Sequence, residues 1–181
     1  MRWCSFPKSV LAIDLRALSG RCERHVDGIL GVDFFRGRIV QIAYNEGRAR
    51  ILEKCDPNLP NYQILPVRIC NDAFCVPVRV AGNPAQWMRL DPGCDVAMEW
   101  VMSKAEKRPT GESSIGLSGK SPRCLRTSVQ LGKQCFKAVT LGVHTEPIFP
   151  GEAGLLGNGL LSKFRITIDQ PGKRVIFENQ K

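Results

Sequence analysis

The chain carries one stretch of sequence twice, and any fold it adopts must house both copies. Asp27-Gly28-Ile29-Leu30-Gly31-Val32-Asp33-Phe34-Phe35 lies over Ala153-Gly154-Leu155-Leu156-Gly157-Asn158-Gly159-Leu160-Leu161, 126 residues further along. At the same offset Ile39-Val40-Gln41-Ile42 lies over Arg165-Ile166-Thr167-Ile168; after a gap of one residue, Ile51-Leu52-Glu53 lies over Ile176-Phe177-Glu178. Each copy reads as glycine, two aliphatics, glycine, a short apolar helix, a strand, a glycine-containing turn and a closing strand. Agreement over this length and in this order marks a duplicated structural unit.

Short runs rich in β-branched residues recur between turn signals, the pattern of strands. They cover residues 10–15, 39–44, 48–52, 63–69, 74–80, 87–91, 96–101, 127–131, 136–141, 164–168 and 174–177. Helical patterning is confined to 32–36 and 158–163, each barely more than a turn. The 17 Gly and 12 Pro are scattered through the 181 residues, which excludes a collagen-like chain and works against long helices. The expected fold class is all-β with two small helices.

Lys and Arg total 26 against 17 Asp and Glu, a formal net charge of +9, but the excess is diffuse. Arg36, Arg38, Arg48 and Arg50 alternate along expected strands as a solvated sheet face does, so no nucleic-acid partner is expected. No run of 18 apolar residues occurs, and Met1 to Lys8 is not followed by the apolar core of an export signal. The chain therefore reads as soluble, with no membrane partner and no visible address. Eight cysteines include Cys70 and Cys75 around a turn at Asn71-Asp72, and Cys124 and Cys135 around another hairpin. Disulfides and small buried thiols both fit those positions. No CxxC or Cys/His cluster has zinc spacing, and His25 and His144 are far apart, so no metal or cofactor is expected.

The copies differ in what precedes them. Before the second lies a long β-rich segment holding Asp91-Pro92-Gly93 and a Gly/Ser-rich stretch at 103–122; before the first lie 26 residues. A unit that short leaves strand edges open and buries too little apolar surface to fold alone. The division is thus a front unit, 1–53, a linker, 54–61, and a β-rich unit, 62–181.

An apolar strand ending Met88-Arg89-Leu90 runs into Asp91-Pro92-Gly93, and Leu155-Leu156-Gly157 follows, leading into a short helix and two strands. In this order the elements resemble one lobe of a retropepsin-like aspartic protease, of the pepsin and retropepsin superfamily. The resemblance covers 62–181 as a nearly whole acid-protease barrel lobe. Asp91-Pro92-Gly93 stands where the family has Asp-Thr-Gly, and Leu155-Leu156-Gly157 at its hydrophobic-hydrophobic-Gly motif. Residues 1–53 resemble the C-terminal half of a second lobe, with Ile29-Leu30-Gly31 in the equivalent place, as in an N-terminally truncated two-lobe form.

The resemblance implies an aspartic endopeptidase acting on peptide or protein substrates without cofactor or metal. Asp91 would be catalytic, Pro92, Gly93 and Cys94 its loop, and Leu155, Leu156 and Gly157 the supporting motif. Such chemistry needs two carboxylates sharing one proton. Asp14 is followed by Leu15-Arg16 and Asp27 belongs to the aliphatic-Gly motif, so neither supplies the second. A homodimer or an upstream lobe would. The family's threonine is understood to hydrogen-bond across to the partner lobe, whereas Pro92 has neither hydroxyl nor N–H, which predicts reduced or absent proteolysis. The alternative is a catalytically inactive protease-like domain serving as a peptide-binding or dimerisation module. Ser113 to Gly119 is a candidate flap.

Overall fold

The computed structural model describes residues 12–20, 25–55, 61–103 and 123–180. Among these residues, three α-helices of four residues each, α1 (Arg16–Ser19), α2 (Val32–Phe35) and α3 (Asn158–Leu161), and a 3-10 turn at Tyr44–Glu46 accompany twelve strands. These are β1 (Ile39–Ala43), β2 (Arg48–Leu52), β3 (Tyr62–Pro66), β4 (Arg68–Cys70), β5 (Ala73–Val80) and β6 (Gln86–Leu90). They continue with β7 (Met98–Val101), β8 (Arg123–Leu131), β9 (Gln134–His144), β10 (Gly154–Leu156), β11 (Phe164–Asp169) and β12 (Arg174–Asn179). No helix among the described residues is long and apolar enough to cross a membrane.

Strands β5, β6, β10, β7, β9 and β8 close into a barrel through pairing of β8 back onto β5. The closing strand, Ala73–Val80, is apolar along almost its whole length, as a strand covered on both faces must be. Its Pro77 is tolerated because of where the ladder changes hands. One edge of β5 pairs with β4 at residues 73–75 and with β8 at 78–80, leaving the missing N–H of Pro77 in the gap. Inside, Val76, Val78, Met88, Met98, Trp100, Val129, Leu131 and Leu156 are all inaccessible. The indole N–H of Trp100 is satisfied by Gln86 Oε1 at 2.9 Å. Trp100 and Phe164 lie in the core, whereas Trp87 is half-buried with the Arg68 guanidinium 4.2 Å above its ring.

A second sheet runs β2-β1-β11-β12-β3 and takes one hairpin from each copy of the repeat. Strands β1 and β11 pair antiparallel, and the register sets Gln41 opposite Thr167, residues one repeat apart. Their side chains meet, Gln41 Nε2 donating to Thr167 Oγ1 at 3.2 Å. A local twofold axis therefore passes through this pair, with Ile39↔Asp169 and Ala43↔Arg165 as mates about it. Phe164, Ile166, Ile168, Val175 and Phe177 of this sheet join the barrel residues in one core, where Phe164 meets Phe136 and Phe177 edge-on. Val32, Phe35 and Tyr44 of the front copy pack on the same core.

Several expectations change. Ala12–Leu15 form no strand, and α1 follows them; the rest of the expected 10–15 strand lies outside the described residues. The expected strand 63–69 is two strands in different sheets. Val67 donates its N–H to Lys173 O at 3.1 Å, ending β3, and Arg68 then opens β4 against Cys75. Arg48 and Arg50 lie exposed on β2, but Arg36 and Arg38 precede β1, where Arg38 sits over the Phe34 ring. Cys124 lies opposite Gly142 and Cys135 opposite Gln130, at opposite ends of the β8–β9 hairpin, so the two do not bridge. The candidate flap, Ser113 to Gly119, lies outside the described residues.

The Asp169 carboxylate closes the β11–β12 turn from a buried position. It accepts from Gly172 N–H at 2.8 Å, Arg174 Nε at 2.7 Å and the Cys55 thiol at 3.5 Å. Burial would raise its pKa, but the Gly172, Arg174 and Cys55 bonds outweigh that and hold it below the ordinary carboxylate range. The stabilisation is then present above the unfolded pKa, about 3.9, and lost as pH falls through the folded value. Asp169→Asn is expected to cost about 1–3 kcal/mol at neutral pH and to flatten the acid limb of the stability profile, read by urea unfolding across pH. An unchanged acid limb would refute this role.

Candidate active site

Asp91 stands where β6 leaves the barrel. Leu90 is still buried, and the chain then reverses: Cys94 N–H bonds Asp91 O at 3.1 Å, closing a turn with Pro92 and Gly93 at its centre. Proline presets the first central backbone angle, and glycine permits the close approach of the second residue. Gly93 N–H donates to Asp91 Oδ1 at 2.9 Å, and a Cβ on residue 93 would sit 3.2 Å from that oxygen. One carboxylate oxygen is thus oriented by the backbone of its own loop. The residue is partly buried.

The second motif supplies the support. Strand β10, with Leu155 and Leu156, is inserted between β6 and β7, parallel to the first and antiparallel to the second. Leu155 lies beside both Arg89 and Glu99, and Leu156 beside both Leu90 and Met98. Asp91 N–H continues the parallel ladder to Leu156 O at 3.0 Å. Beyond it, Gly157 N–H bonds Ala97 O, Asn158 N–H bonds Cys94 O and Gly159 N–H bonds Val96 O, at 3.1, 2.8 and 3.1 Å. A Cβ at residue 157 would overlap the carbonyl oxygens of Val96 and Cys94, so glycine is required there. The predicted loop, Asp91 to Cys94, and the predicted motif, Leu155 to Gly157, are therefore one hydrogen-bonded structure.

Three contributors were not legible in the sequence. Asn158, first residue of α3, donates Nδ2–H to Pro92 O at 2.6 Å, while its buried Oδ1 has no partner among the described residues. Arg89 grips the buried Glu152 carboxylate at 2.7 Å with each of Nε and Nη2, and its guanidinium lies 3.6 Å above the Phe149 ring. That grip ties β6 to the segment entering β10. Tyr44 comes from the front copy of the repeat; its buried hydroxyl also lacks a partner among the described residues. Burial first, and the Asp91 charge second, push the Tyr44 pKa up to about 12. Its position as the last residue of the expected strand 39–44 carried no sign of that role. Cys94 beneath the loop has its thiol pKa raised, chiefly by burial, with Asp91, Glu99 and Asp95 adding to it against a Val96 backbone bond, so it remains a thiol.

The first copy is arranged differently at its motif. Ile29 and Leu30 are 64% and 65% exposed and join no strand among the described residues, whereas Leu156 is wholly covered. Asp14 is engaged by Arg16 at the surface, and Asp27 by His25. Among the described residues no group of three or more His, Cys, Asp or Glu is disposed to hold a metal ion.

Two measurements check this geometry. Gly157→Ala is expected to cost roughly 1–3 kcal/mol, because the atoms it meets are backbone and cannot swing aside, and thermal unfolding reads the loss. In a Tyr62→Phe background, the remaining tyrosine, Tyr44, is expected to ionise near about 12 in an ultraviolet absorbance titration. Adding Asp91→Asn is expected to lower that midpoint; an unmoved midpoint would mean that the carboxylate does not face Tyr44.

No protein-family model matches the sequence, and no curated protein matches it. Among solved structures the chain is similar to a retropepsin-like aspartic protease from Rickettsia conorii, at 21% identity and a TM-score of 0.43 over 65% of this chain and 89% of that one. It is also similar to basic 7S globulin from soybean, at 13% identity and a TM-score of 0.49 over 79% of this chain. The chain spans 50% of the length of that globulin. The closed barrel, with the Asp91 turn at a strand end and the aliphatic-Gly strand inserted beside it, makes the described chain all-β.

Proposed function

We propose that the chain contributes one half of an aspartic peptidase centre, with Asp91 as its catalytic carboxylate. The observation that carries the reading is the Asp91 turn: Gly93 N–H holds one carboxylate oxygen while Leu156 and Asn158 fasten the backbone on either side. A carboxylate fixed in this way can share a proton with a second one about 3 Å away, since both cannot ionise at that distance. The ionised partner takes a proton from water as its oxygen attacks the peptide carbonyl, and the protonated partner gives its proton to the carbonyl oxygen. Collapse of the tetrahedral adduct breaks the C–N bond, and the departing amine takes the proton back from the dyad. Substrates of this chemistry are peptides and unfolded proteins, and it calls on no organic cofactor or metal.

The second aspartate comes from outside the described residues, from a second copy across a twofold axis or from a fuller first lobe. The twofold axis through Gln41 and Thr167 favours the reading of residues 1–53 as the back half of such a lobe. So does the exposure of Ile29 and Leu30, whose counterparts Leu155 and Leu156 lie between two strands. Pro92 favours a second reading, a silent domain whose cleft binds peptide, because it removes the N–H and hydroxyl that a threonine would offer a partner lobe.

Cleavage of an unfolded protein at acid pH, followed together with the mass of the chain in solution, separates the two. The first reading expects cleavage that a statine-type inhibitor blocks, that falls to background in Asp91→Asn and that rises in Pro92→Thr. Peptide binding without cleavage in both the native chain and Pro92→Thr would establish the second reading and overturn the first.

A further inference from the structure

We propose that Cys70 and Cys75 form a redox-sensitive pair, closed by an organic disulfide such as oxidised glutathione into a cross-link over the β4–β5 turn. Cys70 lies opposite Ala73 and Cys75 opposite Arg68, so residues 68, 70, 73 and 75 share one face of this hairpin. Both thiols are free, and Cys70 is, after burial, the neighbour that most raises the pKa of Cys75. Arg68 Nε donates to Cys70 Sγ at 3.0 Å, so a cation sits against the first sulfur. Cys70 is partly exposed and Cys75 is inaccessible, which sets the order of reaction. Burial, followed by the Cys70 contact, holds Cys75 protonated, so Cys70 is the thiol that meets the oxidant. Of the other described cysteines, Cys55 bonds Asp169 and Cys94 closes the Asp91 turn, while Cys124 and Cys135 are exposed but sit at opposite ends of the β8–β9 hairpin, so glutathione can cap each of them without closing a disulfide between them.

The reaction is two thiol–disulfide exchanges. Cys70 thiolate attacks one sulfur of oxidised glutathione, forming a mixed disulfide and expelling one glutathione thiolate. Cys75 then attacks Cys70 Sγ, the protein disulfide forms, and the second glutathione leaves. Two electrons pass to the glutathione, and the two protons released by the cysteines end on its two thiols. The bond would close over Asn71 and Asp72, whose φ angles of 42° and 55° make a tight two-residue turn. That turn is already tied to the active-site side of the barrel. Asn71 Nδ2 donates to Pro150 O and to Glu152 Oε1, and Arg89 donates to Asn71 O. Oxidation would therefore stiffen the anchor that precedes β10.

The test uses the whole chain, reduced and then equilibrated with oxidised glutathione, alkylated and digested with trypsin. The expected product is the peptide of residues 69–79, unalkylated at both cysteines and lighter by two hydrogens, together with a rise in Tm of a few degrees over the reduced chain. Cys70→Ser is expected to abolish both. Recovery of that peptide alkylated at both cysteines, or with glutathione retained on Cys70, would overturn the proposal.

Discussion

The hydrogen bond from Asp91 N–H to Leu156 O depends on β10 reaching a slot between two strands that follow each other in sequence, β6 and β7. A hairpin of β6 and β7 would have closed that slot; their separation leaves two edges whose backbone groups must be paired. Leu155 and Leu156 satisfy both at once and bury an inaccessible leucine in the barrel. Two consequences follow from one insertion. The strand end carrying Asp91 is held from the side, and the chain leaving β10 must pass directly under the 94–97 segment, which is why residue 157 has no room for a side chain.

The second sheet joins the copies of the repeat by pairing like with like. Antiparallel strands related by a local twofold axis meet at one residue of each, here Gln41 and Thr167, and a polar pair there keeps the register from slipping. On one side of the axis the sheet ends with β3 covering β12. On the other, among the described residues, it ends at β2, whose residues 48–51 are exposed. The imbalance agrees with the proposal that the front unit is half of a lobe, and with the open position of Ile29 and Leu30.

The chemistry proposed for Asp91 turns on what faces its carboxylate. Gly93 supplies an N–H, and Tyr44, carried in by the front unit, feels the charge. A phenol held protonated by burial can donate a hydrogen bond but cannot act as the second acid of a dyad near neutral or acid pH. Pro92 contributes a carbonyl to Asn158 in place of donors toward a partner. The loop is thus well anchored from its own side and lacks one means of anchoring across a lobe boundary.

Much of this was legible in order and composition. The link between Asp91-Pro92-Gly93 and Leu155-Leu156-Gly157 was implied by the resemblance to a retropepsin-like lobe, whereas the repeat, the all-β class and both short helices follow from local pattern, because glycine spacing and β-branched runs act within a few residues. The turn at Asn71-Asp72 did too. The break at Val67 did not, since residues 63–69 are continuously strand-like and only the competition between Lys173 O and Cys75 for the backbone ends one strand and starts another. The role of Tyr44, the Arg89–Glu152 grip and the fate of Cys124 and Cys135 were equally hidden, because they depend on register between distant strands. The sequence by itself determined which segments extend, where they turn and which acidic residue stands at a strand end. The tertiary structure alone decided which edges those segments pair with, because backbone hydrogen bonds are the same for every residue and partner choice is made by the burial of whole faces.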